Sequence, residues 1–292
     1  MIALSVLIIF DLYLGKGSRR TDILPPGSAL ITGEKSEGDV EPRYKTFPIV
    51  SNLSDKESYY KYSNEKLSWW FKRDKEHGPS GCDDTVDIDA YNAYYLDRDV
   101  KDDDRVLYLT FDCGYDNGYT EKMLDVLKEQ DVPACFFLTQ TYIRDNIELT
   151  KRMKEEGHQV GNHTITHACL VERSYEEIIK EVSGCADYMK EATGYDMDPY
   201  FRPPCGDYSE RVLAISKDMG YKTIFWSMAY MDYDVNKQPG ADYVIEHFDK
   251  YHHNGAIILM HNVSSSNAQA LETVIVNLKA NGYRFASLNE LE

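Results

Sequence analysis

Arg105-Val-Leu-Tyr-Leu-Thr-Phe111, followed at once by Asp112-Cys113-Gly114, is the stretch on which the fold is read. The run is apolar and closes on turn-forming residues, so it reads as a strand. On its carboxyl side a pattern repeats. Thr120–Gln130 has helical spacing, Pro133–Leu138 (PACFFL) is strand-like, Tyr142–Glu156 is helical, and Gln159–Gly161 is a short strand. Ser174–Ala192 is a long helix with Ser174 as N-cap and Glu177 at the capping-box position. Then come Tyr200–Phe201 (strand), Ser209–Met219 (helix), Tyr221–Trp226 (strand), Ala241–His252 (helix), Ala256–Met260 (strand), Ser265–Ala280 (helix) and Tyr283–Ala286. Strands alternating with helices imply right-handed βαβ units and a parallel sheet. About seven units in one domain predict an α/β fold closed, or nearly closed, into a barrel. Active sites on such sheets lie beyond the carboxyl ends of the strands.

Those ends carry an unusual set of side chains. Asp112 follows the first strand, and His163-Thr-Ile-Thr-His167 follows the Gln159–Gly161 strand. Arg202-Pro-Pro-Cys-Gly206 follows Tyr200–Phe201, Asp232 follows the Tyr221–Trp226 strand, and His261 ends Ala256–Met260. One titratable residue at a strand end is commonplace. Five successive ends sharing the property point to an enzyme. Each residue also has a plainer reading. His163 and His167, spaced i, i+4, share a face on a helical turn and suit a divalent metal, but the same spacing arises from two surface histidines. Asp112 can cap a helix or make an Asx-turn, although Asp116 or Asn117 is better placed to cap the Thr120 helix. The prolines after Arg202 predict a rigid presentation fit to grip a carboxylate bidentately. A lone His261 at the end of an apolar strand is also a satisfied core residue.

Composition narrows the partners. The chain has 292 residues with 49 Asp plus Glu against 32 Lys plus Arg, a net charge of −17. Binding to nucleic acid irrespective of sequence needs cations facing phosphates, so nucleic acid is excluded as the main partner. The 23 Tyr and 3 Trp suit carbohydrate stacking, though Tyr is as common in plain cores. The six cysteines form no CxxC and show no disulfide spacing. Residues 1–15 open with a short apolar run and read as an export signal or membrane anchor. Residues 16–66 read as a linker or wrapping arm, and residues 83–104 as loop plus a short helix. A metalloprotease is disfavoured because no HExxH is present.

At these residues the sequence resembles the polysaccharide deacetylases of carbohydrate esterase family 4, with the NodB-homology fold. Thr110-Phe-Asp-Cys-Gly114 is similar to the family's T-F-D-D-G, His163–His167 to H-[ST]-x-x-H, and Arg202–Gly206 to R-P-P-[YF]-G. Asp232-Tyr233 and Leu259-Met-His261 resemble the two remaining motifs, and all five stand in family order. Phe111–Thr120, Phe225–Asp232 and Ile258–Leu271 resemble more particularly the branch that makes muramic δ-lactam in the spore cortex. The resemblance covers residues 67–292, taken as the deacetylase domain. It implies a distorted (β/α) barrel of about seven parallel strands and a secreted or membrane-anchored enzyme on the cell-wall side, acting on peptidoglycan glycan strands.

Carried over position by position, the resemblance implies Asp112 as general base, with Arg202 orienting it. It implies His261 as general acid supported by Asp232, and the Cys205 backbone N–H at the oxyanion. His163 and His167 are implied as ligands of a divalent metal, zinc first, with cobalt, manganese or magnesium as alternatives. Two departures stand out. The family's third metal ligand is replaced by Cys113, which either ligates as a thiolate or packs silently, leaving two imidazoles and water. Cys205 replaces an aromatic residue that would wall the groove. The same chemistry serves other acetylated glycans, and a degenerate, purely glycan-binding protein is the reading outside enzymes.

Overall fold

In a computed structural model, the described residues are 53 and 55–291, apart from 74, 75, 83, 84 and 102. The proposed leader and most of the arm lie outside them. Eight strands make the main sheet: β1 (Ala93–Tyr94), β2 (Val106–Cys113), β3 (Ala134–Leu138), β4 (Gln159–Asn162), β5 (Tyr200–Phe201), β6 (Lys222–Ile224), β7 (Ala256–His261) and β8 (Arg284–Phe285). Their order is β7-β2-β3-β4-β5-β6-β1, with β8 paired to the amino end of β2 at Val106 and Leu107. Every pairing is parallel. Past β6 the chain turns back onto β7. Ser227 N–H donates to the Ile257 carbonyl at 3.0 Å, and Leu259 N–H to the Met228 carbonyl at 2.9 Å. These bonds bring the two ends of the sheet together into a distorted barrel, as the alternation of elements predicts.

The helices are α1 (Thr120–Glu129), α2 (Gln140–Asp145), α3 (Ile147–Glu155), α4 (Tyr175–Thr193), α5 (Glu210–Asp218), α6 (Ala241–Tyr251) and α7 (Ser265–Ala280). Local chemistry sets their starts. Ser174 and Glu177 form the predicted capping box, and the Ser209 hydroxyl accepts from Val212 N–H. Asp116 accepts from the Thr120 hydroxyl and so braces the start of α1. Two expectations need correction. The helix predicted over Tyr142–Glu156 is two helices, because Asn146 leaves helical geometry (φ −138°, ψ 49°) and its amide bonds back to the Tyr142 carbonyl. The 83–104 segment, read as loop plus a short helix, also supplies β1, a two-residue strand too short to show a period.

The period of two along β2 divides the interior. Leu107, Leu109, Phe111 and Cys113 join the cluster formed with Met123, Leu124 and Leu127 of α1 and Leu271, Val274 and Ile275 of α7. Val106 and Tyr108 take the other face, with Phe137, Tyr200, Ile224 and Ile257. Asp112 continues this second series, so its carboxylate rises from inside the barrel. The part of the predicted arm that is described packs on the domain. Tyr59 is buried and its hydroxyl donates to Asp218 at 2.7 Å, and Lys66 pairs with Asp207 at 2.7 Å.

Crowding on the interior face is acute at Gly161 of β4. A Cβ there would stand 2.7 Å from the Phe137 ring and 3.0 Å from the Tyr200 carbonyl oxygen. Gly161→Ala is expected to cost roughly 1–3 kcal/mol through overpacking, read as a lowered urea midpoint with an unchanged m-value.

Candidate active site

Strand register assembles the site. Asp112 and His261 are paired residues of β2 and β7. Asn162 pairs with Phe201, which sets His163 and Arg202 side by side one residue further on. Arg202 is fully buried. Its Nη1 donates to Asp112 Oδ1 at 2.8 Å, its Nε to the Ile224 carbonyl at 2.8 Å, and its Nη2 to the Phe225 carbonyl at 3.2 Å. The guanidinium carbon lies 4.1 Å from the centre of the Phe137 ring. The grip on Asp112 is therefore single, and not bidentate as predicted, because the other guanidinium edge is taken by backbone carbonyls.

His163 and His167 do converge, with ring centroids 4.8 Å apart. They do so without the helical turn expected from their spacing. Thr164 and His167 take left-handed backbone (φ 71° and 58°), and Thr164 N–H donates to the Asn162 side chain. His163 Nδ1 donates to the Arg202 carbonyl at 2.8 Å, which leaves Nε2 as the bare nitrogen. Burial pulls the His163 pKa down to about 4, so the ring is neutral near pH 7. Its Nε2 stands 3.7 Å from Asp112 Oδ2. Two lone-pair atoms facing one another across that gap suit an intervening cation or water.

His261 makes a second, separate pairing. Its Nδ1 lies 2.7 Å from Asp232 Oδ1, and its backbone N–H donates to Asp232 Oδ2 at 2.8 Å. Asn267 Nδ2, from α7, donates to the same Oδ2 at 2.6 Å. Burial works against a charged His261, but the Asp232 carboxylate outweighs it and raises the pKa above the ordinary histidine value. The opposite outcome holds at Asp112. Burial again resists the charge, but Arg202, His163 and His261 outweigh it and hold the carboxyl below its usual range.

Asp112, His163, His167 and His261 open into a cleft of about 840 Å³, also lined by Trp69, Trp70, Tyr115, Cys205, Trp226, Met231 and Tyr233. Cys113 is not part of it. It is fully buried in the cluster beneath α1, and burial pushes its thiol pKa well above the usual value. Of the two placements open to it, it takes silent packing, because it is one residue out of phase with Asp112. Among the described residues no three His, Cys, Asp or Glu side chains form a metal cluster. What the site offers a divalent ion is the His163 Nε2 lone pair and the His167 ring, with Asp112 Oδ2 adjacent. Sequence reasoning missed Asn267, which lies on a helix start like any capping residue and carries no signal of its own. It also missed the cleft-facing positions of Trp70, Tyr115 and Met231.

Comparison with known proteins agrees with this geometry. A family model described as polysaccharide deacetylase matches residues 99–224. The peptidoglycan-N-acetylmuramic acid deacetylase PdaA of Bacillus subtilis is 41% identical over 230 residues, 78% of this chain and 86% of that one. An uncharacterised 30.6 kDa protein of Geobacillus stearothermophilus is 45% identical over 78% of this chain and 86% of its own. The solved structure of Bacillus subtilis PdaA, described as a family 4 carbohydrate esterase, superposes with a TM-score of 0.74 at 41% identity. It covers 78% of this chain and 97% of that one.

Arg202→Met is expected to destabilise the fold by roughly 3–5 kcal/mol at pH 7, because it strands the Asp112 carboxylate inside the barrel. Urea unfolding of the variant beside Asp112→Asn/Arg202→Met checks this, since the double variant should recover part of the loss. In native protein a maleimide should label Cys205, which is exposed, and leave Cys113, Cys135 and Cys185 untouched until denaturant is added.

Proposed function

Since the chain belongs to the polysaccharide deacetylases of carbohydrate esterase family 4, we propose that it hydrolyses the N-acetyl amide of N-acetylmuramic acid in peptidoglycan, toward muramic δ-lactam in the spore cortex. The substrate reading rests on the 41% identity to a deacetylase named for that sugar. The chemical reading rests on one observation: Asp112 and His261 face a single cleft, each held from behind by an oppositely charged partner, Arg202 and Asp232. The domain assignment that goes with it is residues 67–292 for catalysis, 16–66 as an arm and 1–15 as a leader. The enzyme then works outside the cytoplasm, secreted or anchored. Among the described residues no helix is long and apolar enough to cross a membrane.

Amide hydrolysis needs a base for the attacking water and an acid for the departing nitrogen. Asp112, kept ionised by Arg202, takes the proton of a water in the cleft. His261 enters protonated, its Nδ1–H held by Asp232, and its Nε2–H protonates the amide nitrogen as the C–N bond breaks. Acetate and a free amine leave. The backbone N–H of Cys205, on the turn at the cleft wall, steadies the oxyanion. His163 and His167 are the residues that would hold a divalent ion, zinc first and cobalt, manganese or magnesium otherwise. When bound, such an ion supplies Lewis acidity at the acetyl oxygen and a more acidic water. Cys113 takes no part in holding it.

Acetate release from muramic-acid-containing glycan is the direct test, with chitin-type and xylan oligomers alongside. Asp112→Asn and His261→Ala should each lower kcat by about 100-fold or more while far-UV circular dichroism stays unchanged. Turnover confined to N-acetylglucosamine polymers would reject the muramic assignment. No turnover on any glycan, with no bound metal, would leave a glycan-binding protein. The pH profile carries a further sign. The raised His261 pKa keeps the acid protonated above the ordinary histidine range, and kcat falls as pH rises through that raised value. Asp232→Asn removes the raising charge, so the basic limb should move to lower pH.

A further inference from the structure

We infer that the segment Leu67–Phe71, which lies outside the residues matched by the family model, works in the reaction. Trp69 is a positioning residue for the Cys205 turn, and Trp70 is a platform for a sugar ring of the glycan. The inference rests on the deacetylase reading and names part of its substrate site.

The turn at Cys205 needs outside support. Cys205 and Gly206 are both left-handed (φ 59° and 71°), and for Cys205 this is a conformation that side chains disfavour. The support comes from the amino-terminal segment. Leu67 and Ser68 pair antiparallel with Tyr208 and Asp207, and Trp69 N–H donates to the Gly206 carbonyl at 2.8 Å. The Trp69 indole stacks on Phe225 (centroids 4.5 Å apart, planes 17°), and its Nε1 donates to the Trp226 carbonyl at 2.9 Å. Phe225 is also the residue whose carbonyl receives Arg202 Nη2. One residue thus ties the proposed oxyanion turn, through its backbone N–H, to the strand end that holds the base's partner, through its indole. The fit is close: a Cβ on Gly206 would meet the Trp226 ring at 2.8 Å and Trp69 Cβ at 3.3 Å.

Trp70 points the other way. It is 57% exposed, stacked on buried Phe71 (5.0 Å, 26°), and lines the cleft. Four of the eight large hydrophobics left exposed among the described residues, Trp70, Tyr115, Met231 and Tyr233, stand around this one cleft. No lysine or arginine is among the residues lining it. A largely aromatic rim without cations fits the C–H face of a pyranose, and a polymer places such faces on either side of the sugar being deacetylated.

The two tryptophans predict different kinetic signatures. Trp70→Ala should raise KM for glycan polymer by about tenfold with kcat retained, and Trp70→Tyr should restore most of the loss. Trp69→Ala should lower kcat by on the order of 100-fold with KM little changed, and Trp69→Phe, which keeps the stack on Phe225, should recover most of it. Two measurements hold even if the wild type releases no acetate: calorimetric glycan affinity for the Trp70 variants, and the maleimide rate of Cys205 for the Trp69 variants. Unchanged KM and affinity in Trp70→Ala overturn the platform. Unchanged kcat and Cys205 reactivity in Trp69→Ala overturn the positioning role. Wild-type inactivity with weakened affinity in Trp70→Ala would count against the deacetylase reading alone.

Discussion

A buried guanidinium holds the mouth of this barrel together. Arg202 is wholly removed from water, where an unpaired cation would be prohibitively costly. It is tolerated because its polar edges are occupied: Asp112 on β2, and the carbonyls of Ile224 and Phe225 at the end of β6. One flat face rests on Phe137 of β3. Its own carbonyl fixes the His163 ring, at the end of β4. One residue, by its side chain and its own carbonyl, therefore sets the relative positions of five strand ends. This explains why an arginine, with its rigid planar fork, stands where a lysine could not make the same bonds.

The same rigidity shaped what could be read from the chain. The alternation of elements was legible because each depends on local pattern: apolar runs for the strands, a capping box at Ser174, a serine cap at Ser209. The convergence of Asp112, His163, Arg202 and His261 was also legible, because a parallel sheet puts all its carboxyl ends on one side. What stayed hidden depends on contacts distant in the chain. A two-residue strand such as Ala93–Tyr94 has no period to show and exists because β6 offers it an edge. The meeting of His163 and His167 was foreseen, but the helical turn was not the means. Backbone strain, set by the loop's bonds to α4 and β4, does the work. Asn267 reaches Asp232 across the fold, and no local pattern announces that.

Parity explains where the cysteine that replaces an acidic residue of the family pattern packs. Side chains on β2 alternate between the barrel interior and the helical layer, and Asp112 occupies the interior phase. Cys113 lies in the other phase, among Met123, Leu124 and Tyr142. A small apolar side chain suits that position better than a carboxylate, whose burial there without a partner would be costly. Cys113 fills the helical layer and leaves no third ligand at this position. An ion in this cleft would depend on two imidazoles, a neighbouring carboxylate and water, and its affinity would be more sensitive to the tautomer of His163 than in a fuller cage.

The two halves of the site hold side chains in different acid–base states. At one pH the cleft holds an ionised carboxylate, a neutral imidazole and a histidine inclined to stay charged, though all three are largely withdrawn from bulk water. Burial alone would neutralise each of them. The differences come from neighbours: a cation and two histidines around Asp112, a carboxylate against His261, and for His163 burial stronger than the pull of Asp112. Groups of opposite acid–base state held within one cleft are what splitting an amide requires, since the water must lose a proton while the nitrogen gains one. The sheet register brings Asp112 and His261 side by side, and in the proposed reaction their separate partners, Arg202 and Asp232, keep them from trading that proton with each other instead of with the substrate.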